Sequence, residues 1–179
     1  MPLNERKIDL EAEYGRLDDE VAEYAQEYAD AENGSTYQQV AARQGRQAQD
    51  FRAGVAWALG YPDGDMTGAG WDATTVTVGA PTKGDVDRVA DAVETIDCSR
   101  QAAYVAVATV DAPYLEHTPT NIGQAALNQT ISAVDGLHPQ FVAWVDDRID
   151  SLSQGGDSGN SFMDSVMTAT SQTSPETNG

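Results

Sequence analysis

The sequence has few of the residues that build metal sites or disulfide frameworks. Among its 179 residues, cysteine occurs once, at Cys98, and histidine twice, at His117 and His138. A single cysteine cannot form an internal disulfide, and one cysteine with two scattered histidines lacks the ligand spacing of a zinc site. We therefore expect no structural metal centre of this kind and no cofactor.

Long apolar runs are also missing. No stretch reaches the roughly 18 apolar residues of a transmembrane helix. The start, Met1 to Glu5, has neither the basic residues nor the apolar segment of a secretory signal. We therefore expect no membrane partner and no secretion by a recognisable signal.

A catalytic motif is likewise lacking. The glycines match neither the phosphate-binding loop nor the dinucleotide-binding spacing. Cys98 and a histidine could pair as nucleophile and base, but no nucleophile-elbow or oxyanion sequence accompanies them. Adjacent carboxylates are abundant, and in so acidic a chain they carry little specificity. These absences favour a non-enzymatic function.

Lysine and large apolar residues are scarce. Only Lys7 and Lys83 are lysines, Leu, Ile, Val and Phe together number 31, and 29 acidic against 10 basic residues give a net charge of −19. This composition resembles that of haloarchaeal proteins, which fold in molar salt. The Debye length there is about 3 Å, so self-repulsion is screened. The alternative is an ordinary acidic protein.

The charge is unevenly distributed. Residues 1–33 hold 11 acidic and 3 basic residues, residues 34–62 hold 1 and 3, and residues 63–179 hold 17 and 4. The second segment is therefore the natural electrostatic partner of the first. Arg43 and Arg46 share a helix face, and Arg52 lies on a different face, so no basic stripe forms. Direct nucleic-acid binding is therefore disfavoured.

The N-terminal half shows two long helical patterns. The first has apolar or aromatic residues at heptad spacing: Leu10, Tyr14, Leu17, Val21, Tyr24 and Tyr28. It stops at Asn33-Gly34, where Ser35 or Thr36 can cap a second helix that runs to Gly60. The short connection predicts a long antiparallel helical hairpin.

A Gly-rich insertion, residues 63–81, follows the second helix. Within it, Thr74 to Val78 is β-branched throughout and predicts a short strand, whose partner must come from another segment or another chain. Helix resumes after the capping box Thr82-x-x-Asp85. Residues 99–112 fit a buried helix or a strand, with helix favoured by the alanine content.

Two further helices complete the predicted domain, one stopping at Gly136 and one starting at Pro139. The pattern in residues 1–152 therefore predicts a mainly α domain, in which a helical bundle is built on the hairpin. Residues 153–179 are rich in Ser, Gly and Thr and predict an extended polar C-terminal arm. Segment 161–169 of this arm predicts a short amphipathic docking helix with four apolar residues: Phe162, Met163, Val166 and Met167.

One acidic turn partly matches a calcium-binding loop. Asp63, Asp65 and Thr67 occupy positions one, three and five of an EF-hand pattern, with glycine at six. Position twelve is Thr74, where a bidentate Glu should stand, so two oxygen ligands are missing. A cation site and a plain acidic turn are both open, and the turn is favoured.

The aromatic residues are candidates for a partner or oligomer interface. Tyr14, Tyr24 and Tyr28 share one helix face, and Trp57 and Trp71 flank the Gly-rich loop. Tyrosine and tryptophan are enriched at protein interfaces. The alternative is that they fill an intramolecular core otherwise short of large residues.

The layout resembles that of head–tail connector (adaptor) proteins of tailed viruses, with a helical bundle, a loop or hairpin insertion and an extended C-terminal arm. The resemblance implies a homo-oligomeric ring in a virion that contacts neighbouring structural proteins, here with a haloarchaeal host. The resemblance assigns no functional role to any particular residue of this chain. The alternative is a cellular haloarchaeal protein-binding or regulatory helical module in the cytoplasm.

Overall fold

The structure, a computed structural model, describes residues 3–61, 67–116 and 123–154. Within these ranges the chain is mainly helical, as the sequence predicted. It contains six helices and one small antiparallel sheet. The strands are β1 (Leu3–Asp9), β2 (Thr75–Ala80) and β3 (Thr109–Asp111). The helices are α1 (Leu10–Asp30), α2 (Thr36–Leu59), α3 (Lys83–Thr95), α4 (Arg100–Ala108), α5 (Gln124–Asp135) and α6 (Pro139–Ser153).

Burial decreases along α1. Leu10 and Leu17 in its first half are fully buried, whereas Tyr28 near its end is 47% exposed. The helix begins where the Asp9 side chain accepts a hydrogen bond from the Ala12 backbone N–H at 2.9 Å. The first half of α1 therefore belongs to the core, and the second half extends beyond it.

Helix α2 packs against α1. Arg52 forms an ion pair with Asp18 at 2.5 Å, and the Tyr37 hydroxyl donates to Glu27 at 2.7 Å. Ser35, one of the two predicted caps, accepts from the Gln38 N–H at 3.1 Å. Gly60 ends α2 at φ +71°, a left-handed conformation that strongly favours glycine.

The sheet places β2 in the centre. It pairs antiparallel with β1, where Ile8 faces Val76, and with β3, where Val78 faces Thr109. The partner of the predicted strand therefore comes from the same chain. The sequence did not predict β1, since five of its seven residues are polar or charged and they show no apolar alternation. In the structure only Ile8 of β1 is buried.

Residues 99–112 contain both of the predicted alternatives, a helix followed by a strand. Ser99 caps α4 by accepting from the Ala102 N–H at 3.0 Å. Thr109 begins β3, and its buried hydroxyl donates to the Val105 carbonyl at 2.7 Å and lies 2.9 Å from the Tyr114 hydroxyl. These bonds satisfy the buried polar group where the helix ends.

The capping box predicted for α3 is confirmed. Asp85 N–H donates to the Thr82 hydroxyl at 3.3 Å, and Asp85 accepts from the Thr82 N–H at 2.8 Å. The buried face of the helix consists of Asp85, Val89 and Ala92. Val86 and Val93, which continue the apolar pattern in the sequence, are exposed instead.

Helix α6 lies at the centre of the core and packs against α2 and α4. Its buried residues are Phe141, Val142, Trp144, Val145 and Ile149. Gly54 of α2 lies directly against its first turn, because a Cβ at Gly54 would be 2.4 Å from the Phe141 backbone nitrogen. Glycine is therefore required where α2 meets α6.

We expect Gly54→Ala to lower the free energy of unfolding by about 1–3 kcal/mol, because the added methyl group meets backbone atoms that cannot rotate away. The matched control is Gly15→Ala in α1, where no described atom other than the local helix backbone lies within 4 Å of the added Cβ. That change should raise stability by up to about 1 kcal/mol, because alanine favours helix. Chemical denaturation at one salt concentration measures both, and equal effects would contradict the close approach.

Candidate interaction surface

A groove runs between the exposed half of α1 and the first half of α2. Its volume is about 390 Å³, and its wall on α1 includes Val21, Tyr24 and Tyr28. On α2 the wall is formed largely by small residues, with Arg46 at its side. A Cβ at Gly45 would lie 3.3 Å from the Tyr24 Cβ, so the two helices approach closely beneath the groove.

A second depression, about 480 Å³, adjoins this groove and shares Tyr28 and Arg46 with it. It adds Arg43, one turn before Arg46 on α2. We call the combined surface formed around Tyr24, Tyr28, Arg43 and Arg46 the tyrosine–arginine groove. Tyrosine and arginine are among the residue types that most often carry binding energy at interfaces.

The two arginines of this groove differ from others in the chain. Arg43 and Arg46 are exposed, and neither forms an ion pair with any residue in the described part of the chain. Arg52 of the same helix pairs with Asp18, and Arg16 of α1 pairs with Glu13 and Glu20. The groove therefore presents guanidinium groups that a carboxylate from outside these elements can reach.

The other predicted interface aromatics have intramolecular neighbours. The Trp57 and Trp71 ring centroids lie 5.2 Å apart in edge-to-face contact, and both rings contact Phe141. The Tyr14 ring contacts Tyr61 at 5.2 Å. All three predicted residues are half-buried and pack against the core. Tyr14 thus lies apart from the groove that Tyr24 and Tyr28 line.

Several predicted site residues fall outside the described ranges. These are the docking residues Phe162, Met163, Val166 and Met167 and the acidic residues Asp63 and Asp65. Thr67, the remaining predicted cation ligand, is exposed. Among the residues that the structure describes, no group of three or more His, Cys, Asp or Glu is arranged to hold a metal ion.

The sequence did not predict a buried charged cluster between α1 and α6. Glu13 is 8% exposed. Its carboxylate accepts from the Trp144 indole N–H at 3.0 Å and from Arg16 Nε and Nη2 at 3.0 and 2.5 Å. Arg148 lies 3.6 Å away and pairs with Asp147. One signal was present in the sequence, because Glu13 stands between Leu10 and Leu17 near the apolar face of α1.

The surroundings of Glu13 favour its ionised form. Burial raises its pKa, but hydrogen bonds from Arg16 and Trp144 and the charges of Arg16 and Arg148 outweigh burial, so the net pKa is lowered. Burial instead raises the pKa of the neighbouring Glu20, despite its contact with Arg16. The cluster is therefore arranged to hold α6 against α1 through an ionised Glu13.

The cysteine is not activated as a nucleophile. Burial and the charges of Asp135 and Asp97 raise the pKa of the Cys98 thiol, which lowers the thiolate fraction at neutral pH. His138 stands at the N-cap of α6 with its ring 5.7 Å from that of Trp57. In the described ranges, no helix combines the length and the apolar character needed to cross a bilayer.

We expect Glu13→Gln to lower the free energy of unfolding by about 2 kcal/mol at neutral pH, because the glutamine loses the charge-assisted bonds from Arg16. Because the folded pKa of Glu13 is lowered, its stabilisation is present above the ordinary Glu pKa and is lost as pH falls through the folded value. The difference between wild type and variant should therefore shrink in acid.

Denaturant unfolding from neutral to acidic pH measures this difference. Glu94→Gln, an exposed change on α3, is the control and should differ little from wild type throughout. A pH-independent loss in Glu13→Gln would contradict an ionised, hydrogen-bonded Glu13.

No family model, curated protein or solved structure matches this chain at a significant level. Residue roles cannot be transferred from a relative. The function proposed for the protein therefore rests on the placement and charges of its own residues.

Proposed function

We propose that this protein is a non-enzymatic structural subunit that assembles with copies of itself and with neighbouring proteins. The tyrosine–arginine groove is the observation that carries the proposal. Tyr28 is 47% exposed there, and two arginines without ion-pair partners in the described chain stand beside it. Aromatic and guanidinium groups of this kind gain binding energy when a partner covers them.

The groove belongs to a helical hairpin in this proposal. Support comes from the contacts between α1 and α2, because Asp18 pairs with Arg52 while the later residue Glu27 pairs with the earlier residue Tyr37. Contacts in reversed order are typical of antiparallel helices. The hairpin would form the base of the helical bundle and present the groove beyond the core.

The most specific form of the proposal is a head–tail connector ring of a haloarchaeal virus. Its support is the layout of the sequence, a helical domain followed by the polar arm 153–179, together with the acidic composition. A head-to-tail contact between identical subunits closes into a ring when the rotation permits. An acidic inner wall would repel DNA and let it slide past.

The second candidate is a cellular haloarchaeal module that binds another protein. The same groove favours it, because a groove between two helices accepts the apolar face of a third helix from a partner. The two candidates differ in whether the protein assembles without any other component.

We expect size-exclusion chromatography with light scattering in molar KCl to give a mass that is a multiple of the subunit and that rises with concentration. Truncation after Ser153 should weaken assembly while the far-UV circular dichroism of the helical domain is retained, because the arm is proposed to dock on neighbours. A strict monomer at high protein concentration would contradict self-assembly and favour the cellular module.

We also expect the fold to require salt. Lowering KCl from molar concentration to about 0.1 M lengthens the Debye length from about 3 Å to about 10 Å, so the net charge of −19 repels itself more strongly. The thermal midpoint should fall steeply across this range. A midpoint that does not depend on salt would argue for an ordinary acidic protein.

A further inference from the structure

We infer that the tyrosine–arginine groove binds the exposed acidic face of α1 from a second copy of the chain, centred on Asp19 and Glu23. This inference rests on the proposed self-assembly and names its contact. Both carboxylates are exposed, and neither forms an ion pair within the described ranges. The partner chemistry is thus present on the protein itself.

The acidic face and the groove lie on different sides of α1. Each residue turns about 100° around the helix axis, so Asp19 lies about 180° from Tyr28 and about 140° from Tyr24. Glu23 is likewise about 140° from Tyr28. One copy therefore cannot bring its own Asp19 and Glu23 to its own groove.

The two charged pairs match in spacing. Asp19 and Glu23 are four residues apart on α1, and Arg43 and Arg46 are three apart on α2. Side chains at either spacing are neighbours on a helix surface, about 5–6 Å apart. Two carboxylates of one helix can therefore face two guanidinium groups of another when the helices pack side by side.

Local charge favours this contact over a polyanion. Segment 34–62, which supplies the α2 wall and both arginines of the groove, has one acidic and three basic residues in a chain of −19. A nucleic acid would face the acidic remainder of the molecule along its length, whereas a single helix face meets only the groove. Molar salt screens the repulsion between the rest of the two copies beyond about 3 Å.

The groove and the acidic face lie on different sides of α1, so one neighbouring copy cannot cover both surfaces at once. The contact is therefore heterologous, with the groove of one copy on the acidic face of the next. Each copy then has one groove and one acidic face, and a row of copies can extend until it closes. This arrangement produces a ring or an open filament rather than a closed two-fold dimer through this contact.

A charge-swap experiment tests the inference. We expect Arg43→Glu with Arg46→Glu to weaken assembly at least about 10-fold, and Asp19→Arg with Glu23→Arg to do the same, because each places like charges together. The variant with all four changes should regain assembly. Light scattering and sedimentation velocity measure the association.

Two controls accompany the swap. The first is Arg6→Glu with Lys7→Glu, at exposed positions of β1. It changes the net charge by the same amount as the groove reversal, Arg43→Glu with Arg46→Glu, and should assemble as wild type does. Circular dichroism checks the fold of every variant. Where a reversal unfolds the chain, Arg43→Gln with Arg46→Gln takes its place and should still weaken assembly.

The outcomes separate the inference from the proposed function. A wild-type protein that stays monomeric overturns both. Assembly that survives the groove reversal overturns only the groove contact. Loss of assembly in both reversals without recovery in the four-fold variant overturns Asp19 and Glu23 as the partner face. A groove reversal that leaves assembly intact and abolishes binding to nucleic acid would identify a phosphate ligand. That result would also overturn the groove contact between copies.

Discussion

The buried carboxylate of Glu13 is the constraint on which the arrangement of the helices depends. Removing an ionised carboxylate from water costs several kcal/mol unless hydrogen bonds and opposite charges offset that cost. Here the compensation comes from Arg16 on the same helix and from Trp144 and Arg148 on α6. The partners from α6 are 131 and 135 residues away, so an ionised Glu13 requires the complete fold.

This constraint explains why α1 has two different halves. Its first half is held against α6 by Glu13 and is buried, and α2 is held against the same helix by the close approach at Gly54. Beyond these anchors, and within the part of the chain that the structure describes, α1 packs mainly against α2. Aromatic residues in their distal part, such as Tyr28, therefore remain accessible, and this is where the groove forms.

The core is built from small residues around one aromatic centre. Helix α4 contributes Ala102, Ala103, Ala106 and Ala108, all nearly inaccessible to solvent. Small side chains let the neighbouring helices approach closely, and the rings around Phe141 fill the remaining volume. A chain with few large aliphatic residues can thus bury a continuous core.

Local rules in the sequence predicted the helix ends better than the surfaces. The capping box at Thr82 and the stop at Gly60 depend on neighbouring residues, and both occur as predicted. Strand β1, by contrast, forms because β2 pairs with it, although its own residues show no strand pattern. The exposure of Val86 is also decided by which face of α3 meets the core. For the site, the sequence showed that Tyr14, Tyr24 and Tyr28 share one face of α1. It did not show that Tyr14 packs against the core while Tyr24 and Tyr28 line the groove.

Helix phase explains why the arginines of α2 have different roles. Gly45 faces Tyr24 of α1, and Arg52, seven residues later, returns to the same side of the helix and pairs with Asp18. Arg46 lies about 100° from Gly45, and Arg43 about 160°, so neither shares the helix face from which Arg52 reaches Asp18. In a chain where carboxylates outnumber basic groups 29 to 10, an exposed acid marks a binding surface less specifically than an exposed arginine does. An arginine that forms no ion pair in the described part of such a chain is the more specific mark of a surface that another molecule covers.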